Sequence, residues 1–216
     1  MGFDTDRSSY GYGDCETMIT LYTSFYQDSN PERQKELIYC LNRNIENPLI
    51  DRILIFTECP IPENPKITII GNCRPTYRML FDAVNTYCQN EHEISLISNT
   101  DIYFDDSLSK LNLNGRTCVA LSRWDVKPGQ EPKLHNERFS QDVWIFQGKV
   151  RKVRFCDFFL GVPGCDNRIA WELNQAGYVL YNPATTIKSY HYHPSDLHTY
   201  DGKTRIPKPY LFIEVR

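Results

Sequence analysis

Short apolar runs, each only four or five residues long, recur along the first 125 residues and alternate with amphipathic segments. Runs of this length are too short for helices and predict strands. Because they carry almost no polar residue, we expect both faces to be buried, as in a mainly parallel sheet covered by helices. The predicted strands are 19–23, 53–56, 67–70, 94–97 and 119–122.

Two of the intervening segments have helix signals. Asp28 to Arg33 combines polar cap residues with Pro31, and apolar residues then follow at helical spacing to about Asn44. Pro75 and Thr76 open a second predicted helix that runs through Tyr87. The resulting order predicts an α/β fold. The chain contains neither GxGxxG nor GxxxxGK[ST], which disfavours a Rossmann dehydrogenase and a P-loop enzyme.

The second half of the chain is less regular, and we expect it to form a smaller mixed C-terminal part. A polar segment with two prolines, 126–139, predicts a long functional loop. A helix is expected over 166–176, because Gly177 follows it. The predicted strands are 143–146, 153–160 and 178–181, with a further extended stretch at 185–190.

Length and composition set broad limits. With 216 residues, the chain fits a flexible N-terminal extension at 1–17 and a single domain at 18–216. The net charge of −3 implies no general attraction to nucleic acid. Eight cysteines without a CxxC pair, and no secretory signal, predict a cytoplasmic protein. No apolar run approaches the roughly 20 residues of a transmembrane segment.

Oxygen-bearing side chains follow the fourth predicted strand. Asn99 and Asp101 are two residues apart, so in an extended chain they point to the same side. Ligands bind at the carboxyl ends of strands in open α/β sheets, and two hard oxygen ligands suit Mg²⁺ or Mn²⁺ with a diphosphate. The alternative is a polar turn in which Asp101 or Asp105 bonds to backbone amides.

Two later carboxylates are candidates for acid–base chemistry. Asp142 opens an aromatic strand after the long loop, where it can orient a hydroxyl or act as a base. Asp166 follows a tight Gly-Pro-Gly turn at the start of a predicted helix. The alternatives are structural: Asp142 as a turn residue, and Asp166 as a helix N-cap.

His191 and His193 form a His-x-His pair after an extended stretch, so both imidazoles share a face. Imidazole is a common ligand for Mn²⁺-type ions and a donor to phosphate. Lys188 and Lys203 add positive charge nearby.

Taken together, these motifs resemble the GT-A glycosyltransferases, which use nucleotide-sugar donors. Asn99-Thr100-Asp101 resembles the Asp-x-Asp motif of that family, with Asn99 in place of the first acid. Asp142 and Asp166 match its later catalytic or acceptor-binding carboxylate, and His191 and His193 match its late metal-binding histidine. The resemblance implies Mn²⁺ (or Mg²⁺) as cofactor, held by Asp101, Asn99, His191 and His193.

The resemblance also implies a GT-A-like fold, with a nucleotide-binding half at 18–123 and an acceptor-binding half at 124–216. It is similar in size to small GT-A domains of algal-virus and bacterial polysaccharide glycosyltransferases, so the chain fits one domain of a longer protein. The residues expected to bind the nucleotide sugar are Thr23, Phe25, Tyr26, Arg74, Tyr77, Asn99, Thr100, Asp101 and Lys188.

The expected activity is transfer of a hexose-type sugar, with UDP as the expected nucleotide, to a hydroxyl of an oligosaccharide or glycoprotein glycan. Retention of configuration is the preferred outcome, and the expected location is the cytoplasm (of the host, if the protein is viral). Two alternatives are a sugar nucleotidyltransferase and a catalytically inactive sugar-binding domain. The first normally needs a Gly-rich basic loop after strand one, and the segment 23–28 has neither Gly nor Lys.

Overall fold

The computed structural model describes residues 17–194 and 204–216. Nearly all of the predicted extension at 1–17, and Lys203, lie outside these residues. The strands are β1 (Ile19–Phe25), β2 (Arg52–Thr57), β3 (Ile67–Gly71), β4 (Ile94–Ser98), β5 (Ile102–Phe104), β6 (Thr117–Leu121), β7 (Trp124–Val126), β8 (Lys133–Leu134), β9 (Val143–Gln147), β10 (Val179–Tyr181) and β11 (Ser189–Tyr192). The helices are α1 (Pro31–Glu46), α2 (Tyr77–Tyr87), α3 (Cys165–Gln175) and a short 3₁₀ helix (Asp106–Lys110).

A seven-stranded sheet forms the centre of the fold, in the order β3-β2-β1-β4-β9-β6-β10. Neighbouring strands are parallel except at β9, which runs antiparallel to both β4 and β6. A smaller mixed sheet has the order β5-β11-β7-β8. The predicted fold class, α/β with a mainly parallel central sheet and a smaller mixed part, is confirmed.

Both faces of the central sheet are buried, as the short apolar runs predicted. Leu21 of β1 packs with α1 on one face, while the next residue, Tyr22, packs with α2 and α3 on the other. Side chains alternate between the faces of a strand, so both neighbours are fully buried only when helices cover both sides. The two edge strands are exceptions, because Ile69 of β3 and Val179 of β10 are exposed.

The predicted strand over 153–160 is wrong. Backbone carbonyls of this segment accept hydrogen bonds from the start of α2 instead of pairing in a sheet: Phe158 O from Tyr77 N, and Cys156 O from Arg78 N. The first N–H groups of a helix have no partner within the helix, so they need acceptors from elsewhere. Val153 and Cys156 of the segment are buried in the core beside α2, whereas Phe155 and Phe159 are exposed.

The predicted loop over 126–139 is partly wrong. Its middle contains β8, which pairs antiparallel with β7. Gly129 has a φ of 73° at the turn between the two strands, a conformation that glycine adopts readily. The segment is therefore a short hairpin followed by irregular chain that reaches the central sheet at β9.

Two asparagines at the end of α1 hold the chain that follows β4. Asn44 Nδ2 donates to Ile102 O at 2.8 Å, and Asn44 Oδ1 accepts from Phe104 N at 3.2 Å. Asn47 Nδ2 donates to Phe104 O at 3.1 Å. These side chains occupy the edge of β5 that has no neighbouring strand, and they fix the segment containing Asp101 against α1. None of the described helices is long and apolar enough to cross a membrane.

We expect Asn44→Ala to lower the free energy of unfolding by about 1–3 kcal/mol, because it leaves buried β5 backbone groups without partners. Asn42→Ala, an exposed change on the same helix, is the control, with an expected effect within about 0.5 kcal/mol. Chemical denaturation measures both. Equal stabilities of the two variants would contradict the role given to Asn44.

Candidate active site

A cavity of about 1300 Å³ lies at the carboxyl ends of β1 to β4. Its wall includes Ser24 and Tyr26 from the end of β1, Glu58 after β2 and Arg74 after β3. This is the edge at which open α/β sheets bind ligands. The other wall comes from the start of β9, the turn before α3 and the segment from Arg205 to Phe212.

Asp101 lies in this cavity between two cationic side chains. Its Oδ2 accepts a hydrogen bond from Arg33 Nη2 at 2.5 Å and lies 3.2 Å from His191 Nε2. Burial opposes ionisation of Asp101, but His191 and Arg33 outweigh it and hold its pKa well below the usual range. Burial lowers the pKa of His191, while Asp101 raises it by more, to about 9. All three groups are therefore charged at neutral pH.

Arg33 reaches Asp101 from the first turn of α1. Its Nη1 donates to Glu36 Oε2 at 2.8 Å and lies 2.7 Å from His193 Nδ1. His193 is 7% exposed, and burial lowers its pKa. Asn30 caps α1 by accepting from the backbone N of Glu32 and Arg33, which sets where the helix begins and where Arg33 points.

Asp142 forms the second charged group of the cavity. Its Oδ1 accepts from Asn99 Nδ2 at 2.9 Å, and its Oδ2 lies 3.1 Å from Arg123 Nη1. Arg123 Nε donates to Asp125 Oδ1 at 2.8 Å, and this oxygen is 3.2 Å from His191 Nδ1. These contacts join into one chain of alternating charges, which we call the charge chain. In order, its members are Asp142, Arg123, Asp125, His191, Asp101, Arg33 and Glu36.

Asp166 lies in the first turn of α3, and the expectation that it caps this helix is wrong. The N-cap is Gly164, whose φ of 83° is a left-handed conformation, and no side chain caps the helix. Burial, together with the negative charge of Asp142, raises the pKa of Asp166 to about 7. Asp142 lies against Arg123, whereas no salt bridge to Asp166 is found among the described residues.

Most of the predicted site residues line the cavity. They are Phe25, Tyr26, Arg74, Asn99, Thr100, Asp101, Asp142, Asp166, His191 and His193. Asn99 and Asp101 nevertheless have different partners, because the chain turns at Thr100 and Asp101 instead of staying extended.

Three residues that were predicted to bind the nucleotide sugar do not line the cavity. Tyr77 is 1% exposed in the core, where its hydroxyl accepts from Trp144 Nε1. Thr23 is buried and donates to Ser98 O at 3.0 Å. Lys188 lies over the Trp124 ring, 4.8 Å from its centroid. Asp105 caps the 3₁₀ helix by accepting a hydrogen bond from Ser107 N. It therefore has the structural role of bonding to a backbone amide, which was the alternative to metal binding.

Sequence reasoning missed the two arginines of the charge chain. Arg33 is four residues before Leu37 and eight before Leu41, so it occupies a core-facing position of α1. An arginine at such a position requires a buried acidic partner, and that signal was available. Arg123 follows β6 at the same sheet edge as Asp101, but nothing near it in sequence indicated that it would meet Asp142.

The expected metal site does not fit the residues as they are placed. Asp101 Oδ2 is already bonded to Arg33 and His191, and both ring nitrogens of His191 have carboxylate partners. The amide nitrogen of Asn99 faces Asp142. Within residues 17–194 and 204–216, no three His, Cys, Asp or Glu side chains are grouped so that they could hold a metal ion.

No family model and no curated protein matches the chain. Among solved structures, it is similar to a mannosyltransferase from Pyrobaculum calidifontis, solved with GDP-Man and Mn²⁺, at 13% identity and a TM-score of 0.49 over 82% of this chain. The chain spans 56% of the length of that mannosyltransferase. It is also similar to 2-C-methyl-D-erythritol 4-phosphate cytidylyltransferase from Francisella tularensis, at 14% identity and a TM-score of 0.39, covering 61% of this chain and 70% of that one. The assignment of the fold rests on the strand order described above.

The raised pKa of Asp166 predicts a pH-dependent stability. Between its ordinary pKa of 3.8 and its folded value of about 7, the folded state holds a proton that the unfolded state has lost. Stability from this group is therefore lost as pH rises from about 4 to 8. Asp166→Asn removes the effect, so the variant should gain stability relative to the wild type over this range. About 1 kcal/mol shifts the Tm of such a domain by 2–4 °C, which melting curves at several pH values resolve. A difference in Tm between the variant and the wild type that does not change with pH would contradict the prediction.

Proposed function

We propose that the protein is a glycosyltransferase that moves a sugar from a nucleotide-sugar donor to a hydroxyl of a glycan acceptor. The observation that carries the proposal is the pair Asp142 and Asp166 in the cavity at the sheet edge. Asp142 contacts Arg123, whereas burial and the charge of Asp142 raise the pKa of Asp166 to about 7, a value suited to proton transfer near neutral pH.

The cavity has the charge needed for an anionic donor. Among the described residues, five Arg and Lys side chains and the charged His191 line it, against four carboxylates, and Asp166 is partly neutral near pH 7. The basic residues are Arg33, Arg74, Arg123, Arg205 and Lys208, and the acids are Glu58, Asp101, Asp142 and Asp166. A cleft with this balance attracts a diphosphate although the whole chain has a net charge of −3.

The two ends of the cavity suit the two substrates. Tyr26 follows β1 at the cavity wall, where its partly exposed ring can stack on a nucleobase, whereas Phe25 is 6% exposed and packs in the core. Phe139 and Phe212 line the opposite side and are 52% and 47% exposed. Exposed rings of this kind pack against the apolar faces of sugars, which supports a glycan acceptor.

In the proposed reaction, the bond between the sugar C1 and the phosphate oxygen breaks, and its electron pair leaves with the nucleoside diphosphate. The acceptor oxygen forms the new bond to C1, and its proton passes to Asp142 or Asp166. Arg33 and His191 face the side where negative charge grows on the leaving group. UDP as the nucleotide, retention of configuration and a cytoplasmic location stay predictions from the sequence.

A panel of nucleotide sugars, screened by thermal shift and followed by a transfer assay, tests the function, since a bound ligand raises the apparent stability. Transfer to a glycan supports it. Pyrophosphate release from a nucleoside triphosphate and a sugar phosphate would instead favour a nucleotidyltransferase. Binding without transfer or hydrolysis would favour the inactive sugar-binding domain.

Replacing the proton acceptor should slow transfer without unfolding the protein. We expect Asp142→Asn or Asp166→Asn to lower kcat by about 10²–10⁴-fold, the range of a general base. Asp82→Asn, an exposed change on α2, is the control and should keep the wild-type rate. Steady-state kinetics and melting curves are measured together. Wild-type turnover in both cavity variants would remove these carboxylates from the mechanism.

The aromatic rings at the acceptor side make a separate prediction. Phe139→Ala and Phe212→Ala should each raise the acceptor KM several-fold and leave the donor KM unchanged, because they remove apolar contact with the acceptor alone. Phe155→Ala is the matched control: its ring is 69% exposed but lies outside the cavity wall. An effect on donor KM alone would place the rings on the donor side.

A further inference from the structure

Arg33 occupies the position at Asp101 where the sequence motif leads one to expect a metal ion. Its Nη2 is 2.5 Å from Asp101 Oδ2, and both side chains are nearly buried, with 9% and 13% exposure. Asp101 is the only carboxylate in the segment Asn99-Thr100-Asp101, so its charge is already matched by a fixed cation.

Asn99, the other metal ligand expected in this segment, is a weak substitute for a second acid. Asn99 supplies a neutral amide, and its nitrogen donates to Asp142, which fixes the direction of the side chain. A divalent ion would thus have one charged ligand from the motif, and it would have to move Arg33 away from Asp101. Oxygen-ligated divalent ions are normally held by more charge than this.

We propose that Arg33, and not Mn²⁺ or Mg²⁺, is the cation that binds the donor diphosphate, so that donor binding requires no metal. This inference rests on the proposed glycosyltransferase function.

The guanidinium has donors left for a phosphate. Of its five N–H groups, contacts to Asp101, Glu36 and His193 account for three, and Tyr26 is a further hydrogen-bond partner. Nε is buried in the wall and has no hydrogen-bond partner among the described residues. Arg33 also lines the cavity. Arginine binds phosphate oxygens through two parallel N–H groups and keeps its charge at any physiological pH.

The surroundings hold Arg33 in place for this role. It stands on the first turn of α1, and Glu36 one turn later contacts its Nη1, while Asp101 holds its Nη2. A cation fixed before the substrate arrives stabilises the charge that grows on the leaving diphosphate as the C1–O bond breaks, with little reorganisation. The acceptor proton passes to Asp142 or Asp166 as before, so no further reactant is needed.

The opposing possibility is that Arg33 blocks a metal site and leaves it when a metal arrives. The two cases differ in whether a chelator weakens diphosphate binding, and this binding can be measured on the wild-type protein. UDP and GDP serve as diphosphate probes, with uridine and guanosine as matched ligands without phosphate. Isothermal titration of metal-stripped protein is carried out with EDTA and, separately, with excess Mn²⁺.

We expect the tighter-binding probe of UDP and GDP to have affinities in EDTA and in excess Mn²⁺ that agree within about twofold. Arg33→Gln should weaken that binding at least tenfold while changing nucleoside binding less than twofold, and Arg33→Lys should recover part of the loss. Arg43→Gln is the matched control, since Arg43 lies on the exposed side of the same helix, over the Tyr103 ring. Melting curves show whether each variant is folded.

Loss of diphosphate binding in EDTA and its recovery with Mn²⁺ would overturn the proposal, even if Arg33→Gln fails to fold. Unchanged or tighter binding in a folded Arg33→Gln variant would also overturn it and show that Arg33 only occupies the site. Failure of the wild type to bind either nucleoside diphosphate, with or without Mn²⁺, would instead remove the proposed function itself, and the role of Arg33 with it.

Discussion

The ion pair between Arg33 and Asp101 joins parts of the chain that are 68 residues apart, and the active-site arrangement depends on it. Both side chains are nearly buried, and a buried charge is tolerated only when another charge and further hydrogen bonds compensate it. The charge of Arg33 is matched by Asp101 and Glu36, and the charge of Asp101 by Arg33 and His191. The pair thereby fixes the distance between helix α1, the turn after β4 and the strand β11.

From this pair the charge chain extends to the start of β9 on the other side of the cavity. His191 connects Asp101 to Asp125, and Arg123 connects Asp125 to Asp142. Each member has a partner of opposite charge, so the cavity holds many ionised groups without leaving one uncompensated. Asp166 stands apart from the chain, and for that reason burial and the charge of Asp142 raise its pKa. Asp166 is thus a carboxylate of the cavity whose pKa lies near neutral pH, and this supports the proton transfer proposed above.

The elements that were predicted correctly are those in which local sequence and tertiary environment agree. The short apolar runs became the strands of the central sheet, and the cap at Asn30 begins α1 as expected. The segment 153–160 failed because its apolar content is also what a core-packing loop needs, and its carbonyls were required at the start of α2. The same limit explains Tyr77, which was expected to bind the nucleotide sugar but whose hydroxyl accepts a hydrogen bond from Trp144 in the core.

By itself, the sequence determined the α/β class, the sheet edge that forms the cavity and the acidic and imidazole groups placed there. It did so because strand length, caps and the position of polar residues after strands are local properties. Only the tertiary structure decided which cation each carboxylate faces. Arg33 and Arg123 reach Asp101 and Asp142 through strand order and helix packing, which bring residues 68 and 19 positions apart into contact. Electrostatic partners are chosen by distance in space, and no local pattern in the chain records that distance.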